Sequence, residues 1–239
     1  MLKSIKRTIA WLWNAFCYTL GVLFIALLLY QGWFALHIWY WVGHNPATTS
    51  IMQARLERMR ETNPRAVLKQ RWVSYARISD ELKRAVVVAE DAKFSEHDGF
   101  DWEGIQKAIE KNQRRGRVVA GGSTITQQLA KNLFLSGERS LWRKGQEAVI
   151  TSMLEMLMNK RRILEIYLNI AEWGDGVFGA EAAARHYYNV SAASLNADQA
   201  AHLAAMLPRP RYYEHNRDSE FLRRYSATIH ARMPSAELP

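Results

Sequence analysis

A glutamate that follows a run of apolar residues is the first candidate for acid–base chemistry in this sequence. Glu90 comes directly after Ala85–Ala89, and on a helix it would share a face with Phe94 and His97, at spacings i, i+4 and i+7. Burial beside such a run raises the pKa of a carboxyl group, which suits it to accept a proton near neutral pH. A helix that leaves the core into a charged, solvated loop explains the same pattern, and composition alone favours that simpler interpretation.

The acidic residues and the histidine around this glutamate also raise the question of a metal site. They are Glu90, Asp91, Glu96, His97 and Asp98. Their spacing matches neither an EF-hand nor a His-x-x-x-His pair, so the sequence predicts no metal ligands here.

A second candidate is the glycine-led segment Gly121–Asn132. Its two glycines allow a tight turn, and Thr124 with Gln127 has the spacing of a capping box at the start of a helix. The free N–H groups and positive dipole end of such a helix could bind an anion, and Gln128 and Lys131 add donors one turn later. The segment is not a P-loop, because no Gly-Lys-Ser/Thr closes it. A well-capped helix with a polar exposed side explains it equally well.

A third candidate lies between Arg139 and Glu147. Arg143, Glu147, Ile150 and Leu154 step by four, three and four residues, so Glu147 continues the buried stripe of its helix. A buried acid needs a partner, and Arg143 one turn away can supply it. Taken by itself, this pattern indicates a structural ion pair. Together, however, the three segments place two carboxylates among several cations, a set that suits sugar chemistry on a diphosphate-activated substrate.

The elements that must position these residues divide into an apolar N-terminal segment and one further domain. The chain has 239 residues, a formal net charge of +9 and a single cysteine, Cys17. That length allows one ordinary domain plus an appendage, and one cysteine excludes an intramolecular disulfide framework. No charged side chain occurs from Thr8 to Ala54, and Trp11–Tyr30 is almost wholly apolar, long enough to span a bilayer.

The apolar segment could be either a cleaved signal peptide or a permanent anchor. We expect an anchor, because the run is longer than a signal-peptide core and is followed by bulky aromatic residues instead of a small-residue cleavage site. Lys3, Lys6 and Arg7 precede the span, so the positive-inside rule places the N-terminus in the cytoplasm.

The resulting organisation is a short cytoplasmic tail (1–10), a transmembrane anchor with an interfacial aromatic segment (11–42) and a periplasmic domain (43–239). In that domain, apolar residues recur at spacings of three and four, and glycine and proline are sparse. Only Arg71–Tyr75 and Arg117–Ala120 have an extended pattern. The fold class is therefore mainly α, with at most a small hairpin.

Five segments resemble, in order, the motifs of the peptidoglycan glycosyltransferase family, also called glycosyltransferase family 51. They are Glu90–Gly99, Gly121–Asn132, Arg143–Glu147, Lys160–Asn169 and Gly176–Tyr188. The second is very specific, and five in series leave little room for coincidence. With one anchor and no room for a transpeptidase domain, the chain is most similar to the monofunctional members of Gram-negative bacteria. It departs from the pattern at Asn189 and Val190, where a Gly-Lys-like pair is expected.

The resemblance implies a lysozyme-like fold that polymerises lipid II into β-1,4-linked glycan and releases undecaprenyl diphosphate. Glu90 would be the general base, and one displacement would invert the α-linked donor to β. Lys131, Arg139 and Arg143 would hold the diphosphate, while Glu147, the second catalytic acid, would position cations or assist departure. The other residues implied to bind substrate are Asp91, Phe94, His97, Ser123, Thr126, Gln127, Gln128, Asn132 and Lys144.

The same resemblance sets the expected partners. These are lipid II, the growing lipid-linked glycan, the bacterial inner membrane crossed once, and other cell-wall synthesis proteins. No cofactor is fixed, although a divalent cation, Mg or Mn, serves some relatives. Nucleic acid is disfavoured as a partner, because the basic residues lie outside the cytoplasm.

Two other functions remain open at this point. A lytic enzyme of similar fold would cut glycan, but a hydrolase has no diphosphate to hold and gives no reason for the cationic set. A membrane-tethered, non-enzymatic binder of anionic polymer would use the net positive charge, but it gives no reason for Glu90 and Glu147 at helical positions beside the cations.

Overall fold

The computed structural model describes residues 2–117, 121–135, 137 and 140–239. The chain divides into two compact units, residues 1–43 and 44–239. The first unit is a single helix, α1 (Leu2–Gly43), about 60 Å long at 1.5 Å per residue. Within the described residues, its segment Trp11–Gly43 is the one stretch long and apolar enough to cross a membrane. No proline occurs before Pro46, so the helix continues through the aromatic segment that follows Tyr30.

Helices also make up most of the second unit. Their bounds are α2 (Ser50–Thr62), α3 (Asp80–Glu90), α4 (Trp102–Arg115), α5 (Ile125–Phe134), α6 (Leu141–Leu157), α7 (Lys160–Ile170), α8 (Ala180–Tyr188), α9 (Ala197–Met206), α10 (Pro210–His215) and α11 (Glu220–Arg232). The prediction of a mainly α fold is therefore confirmed.

One small sheet accompanies the helices. It contains β1 (Lys69–Gln70), β2 (Glu172–Gly174) and β3 (Val177–Phe178), in the order β1-β3-β2. β2 and β3 form the small antiparallel hairpin that the sequence allowed, and β1 pairs with β3 in parallel, Lys69 opposite Val177. The strands β2 and β3 follow directly after α7, the helix that carries the fourth motif.

The first of the two stretches with an extended pattern, Arg71–Tyr75, is not a strand in the structure. The strand β1 ends just before Arg71–Tyr75, and the buried side chain of Asn169 takes the place of a neighbouring strand there. Val73 N–H donates to Asn169 Oδ1 at 2.9 Å, and Asn169 Nδ2 donates back to the Val73 carbonyl at 2.9 Å. In the second stretch, Arg117 lies in the turn after α4, and residues 118–120 are outside the described part of the chain.

Two helix packings position the acidic and cationic candidates. Helix α9 packs on α3 and α11, and α5 packs on α6 and α7. The predicted capping box starts α5: Gln127 N–H donates to Thr124 Oγ1 at 3.2 Å, and Thr124 N–H donates to Gln127 Oε1 at 3.1 Å. The capped start of α5 fixes where the side chains of its first two turns lie.

Candidate active site

Glu90 is the last residue of α3, at the point where the apolar helix meets a polar cleft. The helix ends here instead of continuing to His97, so Glu90, Phe94 and His97 do not share one helix face. Burial raises the pKa of the Glu90 carboxyl, whereas the hydrogen bond from Gln128 and the charge of Lys131 oppose that rise. Gln128 Nε2 donates to Glu90 Oε2 at 2.6 Å. A carboxyl group in this setting can accept a proton near neutral pH.

Gln128 is held in turn by a buried tyrosine. Tyr167 on α7 is 1% exposed, and its hydroxyl donates to Gln128 Oε1 at 3.0 Å. The family resemblance predicted that Gln128 binds substrate, and it assigned no role to Tyr167. The structure ties both of them to Glu90.

The residues that follow Glu90 hold its loop against the start of α5. Asp91 is buried; its Oδ2 accepts from Ile125 N–H at 3.0 Å and its Oδ1 contacts His97 Nε2 at 2.9 Å. Gly99 N–H donates to His97 Nδ1 at 3.2 Å, so the proton of this ring lies on Nε2 and is donated to Asp91. Phe94 is fully buried. These three predicted substrate contacts are therefore occupied by contacts within the protein.

Gly99 lets this loop close on α5 and α6. Its φ of +88° lies in the left-handed region, and a Cβ there would stand 2.7 Å from Thr151 Cγ2. The Gly99 carbonyl accepts from Thr124 Oγ1 at 2.8 Å. A side chain at this position would therefore clash with α6 and push the loop away from it.

Thr126 and Gln127, also predicted to bind substrate, face inward. The Gln127 side chain belongs to the capping box, and it is 4% exposed. Thr126 is fully buried and donates from Oγ1 to Glu155 Oε1 at 2.5 Å. Lys160 donates to the same Glu155 oxygen at 2.8 Å and also to the His97 carbonyl. This arrangement connects α5, α6 and α7 to the loop after Glu90.

Glu147 is buried, and two cationic side chains from the first turn of α6 form ion pairs with it. Arg143 donates to its Oε2 at 3.1 Å, and Lys144 donates to its Oε1. Lys144 also reaches the exposed hydroxyl of Ser123 at 3.5 Å. Arg143 Nε is buried without a hydrogen-bond partner among the described residues. The ion pair expected from the sequence is present, and it leaves donor capacity on Arg143 unused.

The ammonium group of Lys131 interacts electrostatically with both Glu90 and Glu147. Burial lowers the pKa of its ammonium group, whereas the charges of Glu147 and Glu90 oppose that fall. No described residue accepts a hydrogen bond from its Nζ. A half-buried ammonium without a fixed partner is suited to an anionic ligand.

A cavity of about 390 Å³ opens beside Lys131. Five cationic side chains and one acidic side chain line it: Arg55, Arg58, Lys131, Arg143, Arg211 and Glu172. Arg55 is balanced by Glu172, Nε to Oε1 at 2.8 Å, whereas exposed Arg58 pairs with no described acid. Asn132, predicted to bind substrate, also lines this cavity. Sequence reasoning missed the α2 arginines, because no motif includes them and helix spacing alone does not show what α2 packs against.

A smaller cavity of about 140 Å³ lies beside Glu90. Its wall includes Glu90, Asp91, Gly121, Gly122 and Ser123. The backbone of the glycine turn therefore faces the carboxylate across an open space. The larger cavity does not include Glu90, so the acid and most of the cations line neighbouring spaces.

Residues 56–234 match the model of the transglycosylase family. The chain is 61% identical to a protein of Methylobacillus flagellatus over 90% of this chain and 94% of that protein. It is 58% identical to a protein of Laribacter hongkongensis over the full length of both. Each is named biosynthetic peptidoglycan transglycosylase.

The chain belongs to the transglycosylase family. A third relative, from Nitrosospira multiformis, has the same name and is 56% identical over 96% of this chain and 98% of its own. The resemblance read from the five motifs is thereby confirmed. So is the lysozyme-like, mainly α fold of a transglycosylase domain behind one long apolar helix.

The structure brings the predicted site residues of this transglycosylase into two groups. One group lines or borders the two cavities: Glu90, Ser123, Gln128, Lys131, Asn132, Arg143, Lys144 and Glu147. The other is engaged inside the protein: Phe94, His97, Thr126, Gln127 and Asp91, of which Asp91 also lines the smaller cavity. Arg139, predicted to bind the diphosphate, lies outside the described residues.

The donor set around Glu147 does not fit a divalent cation in this arrangement. Both of its carboxylate oxygens accept from cations, Arg143 and Lys144. Among the residues that the structure describes, no group of three or more His, Cys, Asp or Glu side chains could hold a metal ion. We therefore assign no step to a metal.

Proposed function

We propose that the chain polymerises lipid II into β-1,4-linked glycan strands for the cell wall and releases undecaprenyl diphosphate, with Glu90 as the general base. Its family and the shared name of its relatives support a peptidoglycan glycosyltransferase. The observation that carries the proposal is a single one. The Glu90 carboxylate, at the buried end of α3 and bonded to Gln128 at 2.6 Å, interacts electrostatically with half-buried Lys131, which lines a cation-rich cavity.

The chemistry at Glu90 is a proton transfer coupled to displacement. The 4-hydroxyl oxygen of the acceptor sugar bonds to the anomeric carbon of the donor while its proton moves to the Glu90 carboxylate. The bond from that carbon to the diphosphate oxygen breaks, and its electron pair stays on the diphosphate. Attack from the face opposite the leaving group inverts the anomeric centre from α to β. The small cavity beside Glu90 is the place for the acceptor hydroxyl.

The departing diphosphate needs positive charge that is already in position. Lys131 and the unused Nε of Arg143 supply it from the α5 and α6 side of the large cavity. Arg58, which lines the same cavity, supplies it from α2. Glu147 holds Arg143 and Lys144 in place and so acts by positioning cations. Arg139 remains a predicted contact to the same group.

The residues buried around the site act on the substrate indirectly. Asp91 and His97 fix the loop after Glu90 to the start of α5, and Thr126 ties α5 to Glu155. Phe94 and Gln127 are packed or bonded within the protein. We infer that these five predicted contacts shape the cleft and that Ser123, Gln128, Asn132 and Lys144 face it.

The membrane arrangement is part of the proposal. The apolar helix supports single-pass anchoring, and a transglycosylase domain implies a lipid-linked glycan as substrate. We infer a cytoplasmic tail (1–10), an anchor in the inner membrane (11–42) and a periplasmic domain (43–239), from the basic residues that precede the span. Interaction with other cell-wall synthesis proteins remains a prediction.

Incubation of the purified full chain with labelled lipid II tests the function. We expect a high-molecular-weight product that lysozyme digests, and no such product in an enzyme-free reaction. Shortening of preformed glycan with no polymerisation would identify a lytic enzyme instead. Binding of glycan without turnover, under conditions where a related transglycosylase polymerises, would identify a non-enzymatic binder.

A further inference from the structure

We propose that Tyr167 is a positioning residue for the reaction: it fixes the amide of Gln128 so that the amide nitrogen faces Glu90 Oε2, which leaves Glu90 Oε1 as the oxygen that accepts the proton. The proposal rests on the proposed function, since it concerns the base of that reaction. Its starting point is a chain of two hydrogen bonds, Tyr167 hydroxyl to Gln128 Oε1 at 3.0 Å and Gln128 Nε2 to Glu90 Oε2 at 2.6 Å.

The direction of the first bond follows from the burial of Tyr167. Its side chain is 1% exposed, and burial raises the pKa of its hydroxyl well above the ordinary value. The hydroxyl therefore keeps its proton throughout the range in which a glutamate titrates. A protonated phenol in contact with an amide oxygen donates to it. Gln128 Oε1 is thus occupied, and its nitrogen must point the other way, towards Glu90.

The direction of the second bond matters because the two ends of an amide are opposite in character. With the nitrogen facing Glu90, an N–H dipole stabilises the carboxylate and opposes the effect of burial on its pKa. With the amide reversed, an amide oxygen would face a carboxylate oxygen at the same short distance, which is unfavourable unless Glu90 is protonated. Tyr167 therefore favours the form of the site in which Glu90 can act as a base.

The same geometry distinguishes the two oxygens of Glu90. Oε2 is occupied by Gln128. Oε1 accepts no hydrogen bond from the described residues, so it is the oxygen open to the acceptor hydroxyl. A base with one oxygen fixed and the other free presents one defined proton-accepting atom, and the hydrogen bond to the fixed oxygen keeps that base ionised at lower pH.

Other charged and titratable groups near Glu90 come from each element that contributes to its surroundings. Lys131 on α5 stabilises the carboxylate, and neighbouring Asp91 destabilises it. From α11, the Tyr225 hydroxyl donates to the Ala89 carbonyl at 3.2 Å, and burial together with the charge of Glu90 raises the pKa of this tyrosine. None of these groups contacts the Gln128 oxygen, so the orientation of the amide depends on Tyr167.

The test is the pH dependence of lipid II polymerisation by Tyr167→Phe in the full chain. Loss of the hydroxyl should raise the apparent pKa of the acidic limb of the rate profile by about 0.5 to 1 pH unit, which is the equivalent of one hydrogen bond. On that limb, the rate should fall by roughly 3- to 10-fold, while the rate on the alkaline plateau stays close to that of the parent. Tyr187→Phe is the matched control, because it removes a tyrosine hydroxyl that makes one hydrogen bond elsewhere in the domain, to the Trp173 carbonyl at 2.8 Å.

A second variant makes the result decisive. Gln128→Leu should raise the apparent pKa of the acidic limb at least as much. Adding Tyr167→Phe to this variant should cause no further shift, because the tyrosine acts through the glutamine. A profile for Tyr167→Phe that matches Tyr187→Phe would overturn the proposal, as would an equal loss of rate at every pH in a protein with unchanged thermal unfolding. Absence of polymerisation by the parent chain would refute the proposed function instead.

Discussion

Replacing Glu90 with glutamine should remove most of the turnover and leave the fold intact. The amide has the same shape as the carboxyl group and can still accept the hydrogen bond that Gln128 Nε2 donates at 2.6 Å. It cannot take the proton from the acceptor hydroxyl. Loss of a general base lowers the rate by roughly 10²- to 10⁴-fold, and we expect Glu90→Gln to fall in that range. Donor affinity should change little, because the cations that line the large cavity remain.

The stability of this variant provides an independent check. Burial raises the pKa of Glu90, so the folded protein binds this proton more tightly than the unfolded chain does. The parent therefore loses stability as pH rises from the ordinary glutamate pKa through the raised one, and a neutral amide avoids that loss. Against this gain stands the exchange of a charge-assisted hydrogen bond for a neutral one, about 1 kcal/mol. The two effects oppose each other, so the melting temperature at neutral pH should stay within about 4 °C of the parent.

The assay is the initial rate of lipid II polymerisation, measured with donor-site affinity for a phosphoglycolipid inhibitor and with thermal unfolding between pH 4 and 8. Glu96→Gln is the matched control, since it removes the same charge from an exposed position in the loop that follows Glu90. It should polymerise at close to the parental rate. Near-parental polymerisation by Glu90→Gln would refute the general-base assignment. A large drop in its melting temperature would show that the side chain is structural.

Three further changes should have separate signatures. Glu147→Gln breaks the ion pair with Arg143, whose Nη1 lies 3.1 Å from the Glu147 carboxylate. Turnover and donor affinity should both fall, and the free energy of unfolding should fall by roughly 1–3 kcal/mol. An unchanged inhibitor affinity would contradict the role of Glu147 in positioning cations. Arg58→Ala should raise the KM for lipid II about 3- to 10-fold with little change in kcat. The control is Arg65→Ala at an exposed position that lines neither cavity, and its KM should stay close to that of the parent. Equal KM values for the two variants would exclude Arg58 from donor binding. A reporter fused after Pro239 that is active only outside the cytoplasm should be active, and activity of a cytoplasm-only reporter there would reverse the proposed topology.

The sequence by itself determined what depends on near neighbours in the chain. Apolar length predicted the long N-terminal helix, and helical spacing predicted a mainly α domain. Residues three and four apart meet on any helix, so the capping box of Thr124 with Gln127 and the pair of Arg143 with Glu147 could be predicted without a fold. The order of the five motifs was sufficient to indicate the family.

Only the tertiary structure decided which residues meet across the chain. Gln128 contacts Glu90 from 38 residues away, and Tyr167 contacts Gln128 from 39 residues away. Arg55 forms an ion pair with Glu172, 117 residues further along the chain. This pair places α2 at the cation-lined cavity, which Arg58 of the same helix also lines. Such contacts depend on how α2, α3, α5 and α7 pack, and helix spacing carries no information about the partner of a helix face. For the same reason the motif residues could be recognised from the sequence, but only packing separated those that face the cleft from those, such as Thr126, that hold it together.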